Sequence, residues 1–126
     1  MKAALKYTGL RVKDLDESIR FYTRVLGLTV RSRETIAETG GTVVDLVDED
    51  GRHPLELNHY AAGSPFDTPY TPGEGIDHLG FRVDDLDAAI AEATREGFPV
   101  VQEIRVGAKR WVYIQDPNGI WIELFA

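Results

Sequence analysis

Tyr7-Thr-Gly-Leu-Arg-Val-Lys-Asp-Leu-Asp16 returns later in the chain as His78-Leu-Gly-Phe-Arg-Val-Asp-Asp-Leu-Asp87, with His78 standing 71 positions after Tyr7. Each copy opens as an alternating strand, Leu5–Val12 in the first and Ile76–Val83 in the second. Tyr7, Gly9 and Arg11 fall on one face, and Thr8, Leu10 and Val12 on the other. In the second copy His78, Gly80 and Arg82 share a face opposite Leu79, Phe81 and Val83. The repeat therefore pairs Tyr7 with His78. It predicts a duplicated unit of one strand, one helix and three further strands.

Working outward, Asp14 with Glu17 forms a capping-box signature, followed by Leu15, Ile19, Tyr22 and Leu26 at helical spacing and Gly27 as a stop. Strands are expected at Leu28–Thr35, Gly41–Val47 and Arg52–His59, with Asp48-Glu-Asp-Gly51 as the turn between the last two. In the second half Asp85 caps a helix carrying Leu86, Ala89, Ile90 and Ala93, ended by Gly97. Strands follow at Val100–Ile104, Arg110–Gln115 and Ile120–Phe125, with Asp116-Pro-Asn-Gly119 as the last turn. The aperiodic stretch 61–75, rich in Pro and Gly, reads as a linker, and its Ser64–Gly75 part as a lid. The class is α+β: module one spans about 5–60 and module two about 76–126, within a single domain of 126 residues.

Composition narrows the function. The chain is 43% hydrophobic and 28% charged, as in ordinary globular proteins. A formal charge of −7 argues against a nucleic-acid partner or an anionic membrane surface. There is no cysteine, which excludes disulfides, thiolate nucleophiles and sulfur-ligated metal. No apolar run reaches membrane-spanning length, and the first residues do not form a signal peptide, so a cytoplasmic location is the default expectation.

The apolar face of each first strand is expected to pack on its own helix, leaving Tyr7 and His78 on an open face suited to a small ligand. In the fourth strand Glu56 alternates with Leu55 and Leu57; in the last, Glu123 alternates with Ile122 and Leu124. Two half-buried glutamates at matching places, in register with His78, point to a divalent cation. The bland alternative places both glutamates on a solvated face.

These features resemble the vicinal oxygen chelate superfamily, which includes glyoxalase I, bleomycin-resistance proteins, fosfomycin-resistance transferases, methylmalonyl-CoA epimerases and extradiol dioxygenases. The resemblance rests on Phe21-Tyr-Thr-Arg-Val-Leu-Gly-Leu28, Leu55-Glu-Leu57, Asp77-His-Leu-Gly-Phe81 and Asp116-Pro-Asn-Gly-Ile-Trp-Ile-Glu-Leu124. It implies a cupped eight-stranded sheet with helices on the outer side, and a homodimer. It also implies metal ligands on the first, fourth, fifth and eighth strands: Tyr7, Glu56, His78 and Glu123. Glyoxalase I-like members carry His or Gln at the first position, so Tyr7 is a departure. It is an unusual ligand, because a phenol ionises near pH 10, and it is expected to hydrogen-bond substrate or to wall the site.

The implied function is a glyoxalase I-like lyase or isomerase. It would use Zn²⁺, Ni²⁺, Mn²⁺, Co²⁺ or Fe²⁺ held by Glu56, His78 and Glu123, with the two glutamates moving a proton beside a carbonyl. Tyr7, Arg11, Arg82 and Trp121 are the candidate substrate contacts; for the two arginines an ion pair with Asp45 or another sheet residue is the competing reading. Lys109 and Arg110 are candidates for an anion contact. Alternatives for the whole chain are a bleomycin-resistance-type binder without turnover and, weakened by Tyr7, an Fe(II) extradiol dioxygenase.

Overall fold

The computed structural model describes residues 2, 6–69, 71, 73, 74, 76 and 78–126. Leu5 at the start of the first expected strand, Tyr70, Pro72 and Gly75 in the expected lid, and Asp77 before the fifth strand lie outside the described residues. The chain divides into two compact units, residues 1–70 and 71–126.

The first unit runs β1 (Thr8–Arg11), α1 (Leu15–Arg24), β2 (Thr29–Ile36), β3 (Gly41–Val47) and β4 (Leu55–Tyr60). The second repeats the plan with β5 (His78–Arg82), α2 (Leu86–Arg95), β6 (Gln102–Val106), β7 (Lys109–Gln115) and β8 (Trp121–Phe125). Both are βαβββ modules, as expected. Each forms a four-stranded sheet, in the orders β1-β4-β3-β2 and β5-β8-β7-β6. The first strand of each module lies parallel to its last, while the remaining pairs are antiparallel. A parallel neighbour needs a crossover, and the helix supplies it.

The helices start where the sequence says. Asp14 accepts a hydrogen bond from the Glu17 amide at 2.8 Å, and Asp85 accepts one from the Ala88 amide at 3.0 Å. Each satisfies a donor that the first helical turn leaves without an intrahelical partner. At the far end of α2, Gly97 adopts φ 95°, its N–H donates to the Thr94 carbonyl, and Phe98 N–H donates to the Ala93 carbonyl. This is a Schellman closure, which requires the left-handed backbone that glycine provides.

The buried face of α1 is rotated from the expected stripe. Leu15, Ser18, Phe21 and Tyr22 are buried, whereas Ile19 and Leu26 are only half-buried. Phe21 and Tyr22 meet edge to face at 5.1 Å and are both inaccessible, so the two largest rings decide which side faces the sheet. Beneath them lie Leu10, Val44, Leu46 and Leu57; the second unit buries Val112, Ile114, Ile122 and Leu124 in the same way. Each such side chain contributes roughly 1.5–3 kcal/mol by leaving water.

Several strand boundaries move by one to three residues, two of them for a clear physical reason. β4 begins at Leu55 rather than Arg52, because Pro54 has no N–H to donate to a ladder; its carbonyl instead accepts from Thr8 N–H at 3.1 Å. β6 extends to Val106, where Gly107 and Ala108 form a two-residue hairpin loop to Lys109. Gly107 has φ 59°, the positive value that tight hairpins need.

The turn 116–119 is closed by its own aspartate. The buried Asp116 carboxylate accepts from the amides of Asn118 and Ile120, each at 2.8 Å, and from the Asn118 side chain at 2.8 Å. Replacing Asp116 by Ala strands these donors in a dry environment. We expect Asp116→Ala to lose about 2–4 kcal/mol of stability, read as a lower urea midpoint at an unchanged denaturant slope.

Candidate functional site

The parallel pairings set the site positions side by side. In the first unit Gly9 is the register partner of Glu56, and Glu56 is in turn the partner of Asp45 on β3. In the second unit Gly80 pairs with Glu123, and Glu123 with Tyr113 on β7. Both glutamates are half-buried and lie on the face opposite the leucines and isoleucines that pack on the helices.

Glycine at position 9 keeps this face open. A Cβ there would stand 3.3 Å from Asn58 Nδ2, 3.6 Å from Glu56 Oε1 and 4.0 Å from the Tyr7 ring. Tyr7 and Glu56 thus border one small space. The Asn58 amide donates to Glu56 Oε1 at 2.9 Å and fixes that oxygen. Asp45, directly across from Glu56, would repel it if left as a bare carboxylate. Arg31 answers that charge at 2.8 Å. It sits where the β2–β3 register shifts between Val30 and Ser32. The arginine that pairs with Asp45 is therefore Arg31.

The second unit is built differently. His78 Nε2 lies 3.2 Å from Glu123 Oε2, and the Tyr113 hydroxyl donates to the same oxygen at 2.8 Å. The His78 and Tyr113 rings meet edge to face at 5.6 Å, and Tyr113 and Trp121 pack at 5.2 Å. The imidazole is thus held by ring contact as well as by the carboxylate. Arg82 lies two residues beyond Gly80 along the same face and is exposed.

Arg11 shares the Gly9 face, but its guanidinium donates to the Phe66 carbonyl at 3.3 Å, the Thr68 hydroxyl at 2.5 Å and the Pro69 carbonyl at 3.3 Å. It ties β1 to the linker. Ser64 anchors the other end of that loop by donating to the Thr39 carbonyl at 2.7 Å. Arg110, expected as a rim anion contact, is engaged by its own protein: it bonds Asp87 on α2 at 2.5 Å and Glu103 on β6 at 3.0 Å. His53 bonds Thr8 at 3.3 Å, and His59 lies with Arg11 and Lys13 beside a small cleft.

The structure thus brings His78 to Glu123 and Tyr7 to Glu56. Among the described residues no three His, Asp or Glu side chains gather in one group. The His78–Glu123 pair fits a metal: two ligands each about 2.0–2.1 Å from a tetrahedral ion stand about 3.3 Å apart. The Tyr113 hydroxyl behind Glu123 has the form of an outer-shell partner that orients a ligand. Sequence reasoning missed Tyr113, Asn58 and the Asp45–Arg31 pair. Alternation put Tyr113 on the correct face, but only the strand register sets it against Glu123.

Residues 4–124 match the sequence model of the Glyoxalase/Bleomycin resistance protein/Dioxygenase superfamily. The chain belongs to this superfamily. It is 34% identical to the lactoylglutathione lyase of Pseudomonas aeruginosa, over 94% of this chain and 79% of that protein. It is likewise 34% identical to the lactoylglutathione lyase of Neisseria meningitidis, over 94% and 87%. Among solved structures it is similar to the trypanothione-dependent glyoxalase I of Leishmania major, with TM-score 0.79, 32% identity, and coverage of 98% of this chain and 86% of that one. No described helix is long and apolar enough to cross a membrane.

Two measurements check these contacts. Tyr113→Phe keeps both ring contacts of this superfamily member and removes one donor, so we expect a loss of about 1 kcal/mol by chemical denaturation. The Arg110 guanidinium, chiefly by hydrogen bonding, holds Asp87 and Glu103 below the ordinary carboxylate values of 3.8 and 4.5. Depressed carboxylates stabilise the fold above their unfolded values and lose that contribution as the pH falls through the folded ones. Arg110→Ala should therefore flatten the fall in stability below about pH 4.5, measured as melting temperature against pH.

Proposed function

We propose that the chain is a metal-dependent, glyoxalase I-like lyase or isomerase acting on the thiol adduct of a small 2-oxo compound. The observation that carries this reading is the His78–Glu123 pair, braced by the Tyr113 hydroxyl, in a chain 34% identical to proteins named lactoylglutathione lyase. His78, Glu123 and Glu56 would hold the ion, Glu56 being assigned by its equivalence to Glu123 in the repeat. One nitrogen and carboxylate oxygens suit Zn²⁺, Ni²⁺, Mn²⁺, Co²⁺ or Fe²⁺. When bound, such an ion supplies Lewis-acid stabilisation to the oxygens of the substrate.

The protein's own groups then handle the proton. Oε2 of Glu123 already accepts from Tyr113 and faces His78, so Oε1 is the oxygen that takes the proton from the carbon beside the carbonyl. Glu56 is the second carboxylate of the reaction. Its Oε1 is held by Asn58, leaving Oε2 to carry the hydroxyl proton from one substrate oxygen to the other. The carbon-bound proton taken by Glu123 is returned to the neighbouring carbon, so the composition of the substrate is unchanged. Tyr7 donates a hydrogen bond to a substrate oxygen, and Arg82 and Trp121 complete the substrate contacts, while Arg11 braces the linker through Phe66, Thr68 and Pro69. The two units work as one domain, in a homodimer.

Glu123→Gln keeps the shape and removes the base. With the glutathione adduct of methylglyoxal we expect turnover to fall roughly 10²–10⁴-fold, with a metal content by elemental mass spectrometry close to that of the parent. Full turnover in the variant would rule out the base assignment. Stripping the metal with a chelator should abolish activity, and returning a divalent ion should restore it.

A further inference from the structure

The two modules set different residues across the strands from their glutamates. In the second unit Tyr113 opposes Glu123 and donates a hydrogen bond to it. In the first the matching place on β3 is Asp45, the register partner of Glu56. Directly opposed residues of an antiparallel pair share a face, with Cβ atoms about 4.5–5.5 Å apart. Glu56 borders two clefts, one of about 440 Å³ towards Tyr60 and Phe66 and one of about 370 Å³ towards Pro54. The second is edged by Asp45, Tyr7 and Arg31 as well. A divalent ion held by Glu56 would therefore have another carboxylate of the same unit within reach, and carboxylates are ligands such ions take readily.

Arg31 stands in the way of that. Its guanidinium donates to Asp45 Oδ2 at 2.8 Å. The β2–β3 register shifts between Val30 and Ser32, so Ser32 opposes Asp45 and Arg31 is the inserted residue. A bulge of this kind re-aims a side chain. The matching β6–β7 ladder, which carries Tyr113, runs without a shift. The irregularity thus falls in the module that has a carboxylate to hold, and not in the one that has a phenol. Stability does not account for it, because ion pairs with an arginine 47% exposed contribute little.

We propose that Arg31 is a positioning residue for the metal-dependent reaction. By holding Asp45 it keeps a third carboxylate off the ion borne by Glu56, His78 and Glu123, and leaves that coordination position to substrate oxygens. The inference rests on the function proposed above and adds to it a residue that touches neither ion nor substrate. A third carboxylate would bind the ion more tightly, weaken its pull on substrate oxygens and take a place that the substrate needs.

Mn²⁺ is the probe, since paramagnetic resonance titration gives its affinity and water-proton relaxation its number of bound waters, both without turnover. Arg31→Ala should bind Mn²⁺ roughly tenfold tighter than the parent, with fewer waters on the ion. Arg31→Lys keeps a cation for Asp45 and should match the parent in both readings. So should Arg31→Ala combined with Asp45→Asn. Tighter binding with an unchanged number of waters would mean that Arg31 acts by charge alone, and would overturn the assignment. An Arg31→Ala protein that loads like the parent would overturn it too, while leaving the metal-dependent function standing. A parent chain that takes up no divalent ion would sink both.

Discussion

Parallel pairing of the first strand with the last is the constraint on which both modules depend. It sets Gly9 beside Glu56 and Gly80 beside Glu123, with a position that carries no side chain next to a carboxylate on the exposed face. A parallel pair cannot be joined by a tight turn, so the helix must cross between strands and cover one face. The face it covers takes the leucines, valines and isoleucines. The other is left for polar groups whose partial burial demands partners. Core and candidate site are therefore two sides of one ladder.

Duplication gave the two modules the same frame but not the same environment. Glu123 meets an aromatic set: Tyr113 bonds it, His78 faces it, and Trp121 packs behind Tyr113. Glu56 meets an amide and a second carboxylate, with Asp45 neutralised by Arg31. In the proposed reaction the first arrangement would orient a ligand and leave one oxygen for proton transfer. The second holds a carboxylate in a charge-balanced setting beside two clefts.

Much of the fold was legible because its signals are local. The repeat, both aspartate caps and the alternation in β3 and β8 led to the observed elements. What failed depended on tertiary packing. The Phe21–Tyr22 pair turned α1 away from the Ile19 stripe, and the Gly107 hairpin extended β6 beyond Ile104. At the site, alternation put each glutamate on the correct face. It carried no information about cross-strand neighbours, so Tyr113, Asn58 and Arg31 went unnoticed. Arg110 looked like a free cation in sequence because Asp87 is 23 positions away and joins it only through the packing of α2 beside the sheet.

The central proposal is that Glu56, His78 and Glu123 serve one ion. Elemental mass spectrometry of the metal-replete protein, compared with its Glu56→Ala variant, tests this most directly. The account predicts a stoichiometric divalent ion in the parent chain and a large loss in the variant, with the fold intact by circular dichroism. A Glu56→Ala protein that retains the full metal load would contradict it, as would a parent chain that takes up none.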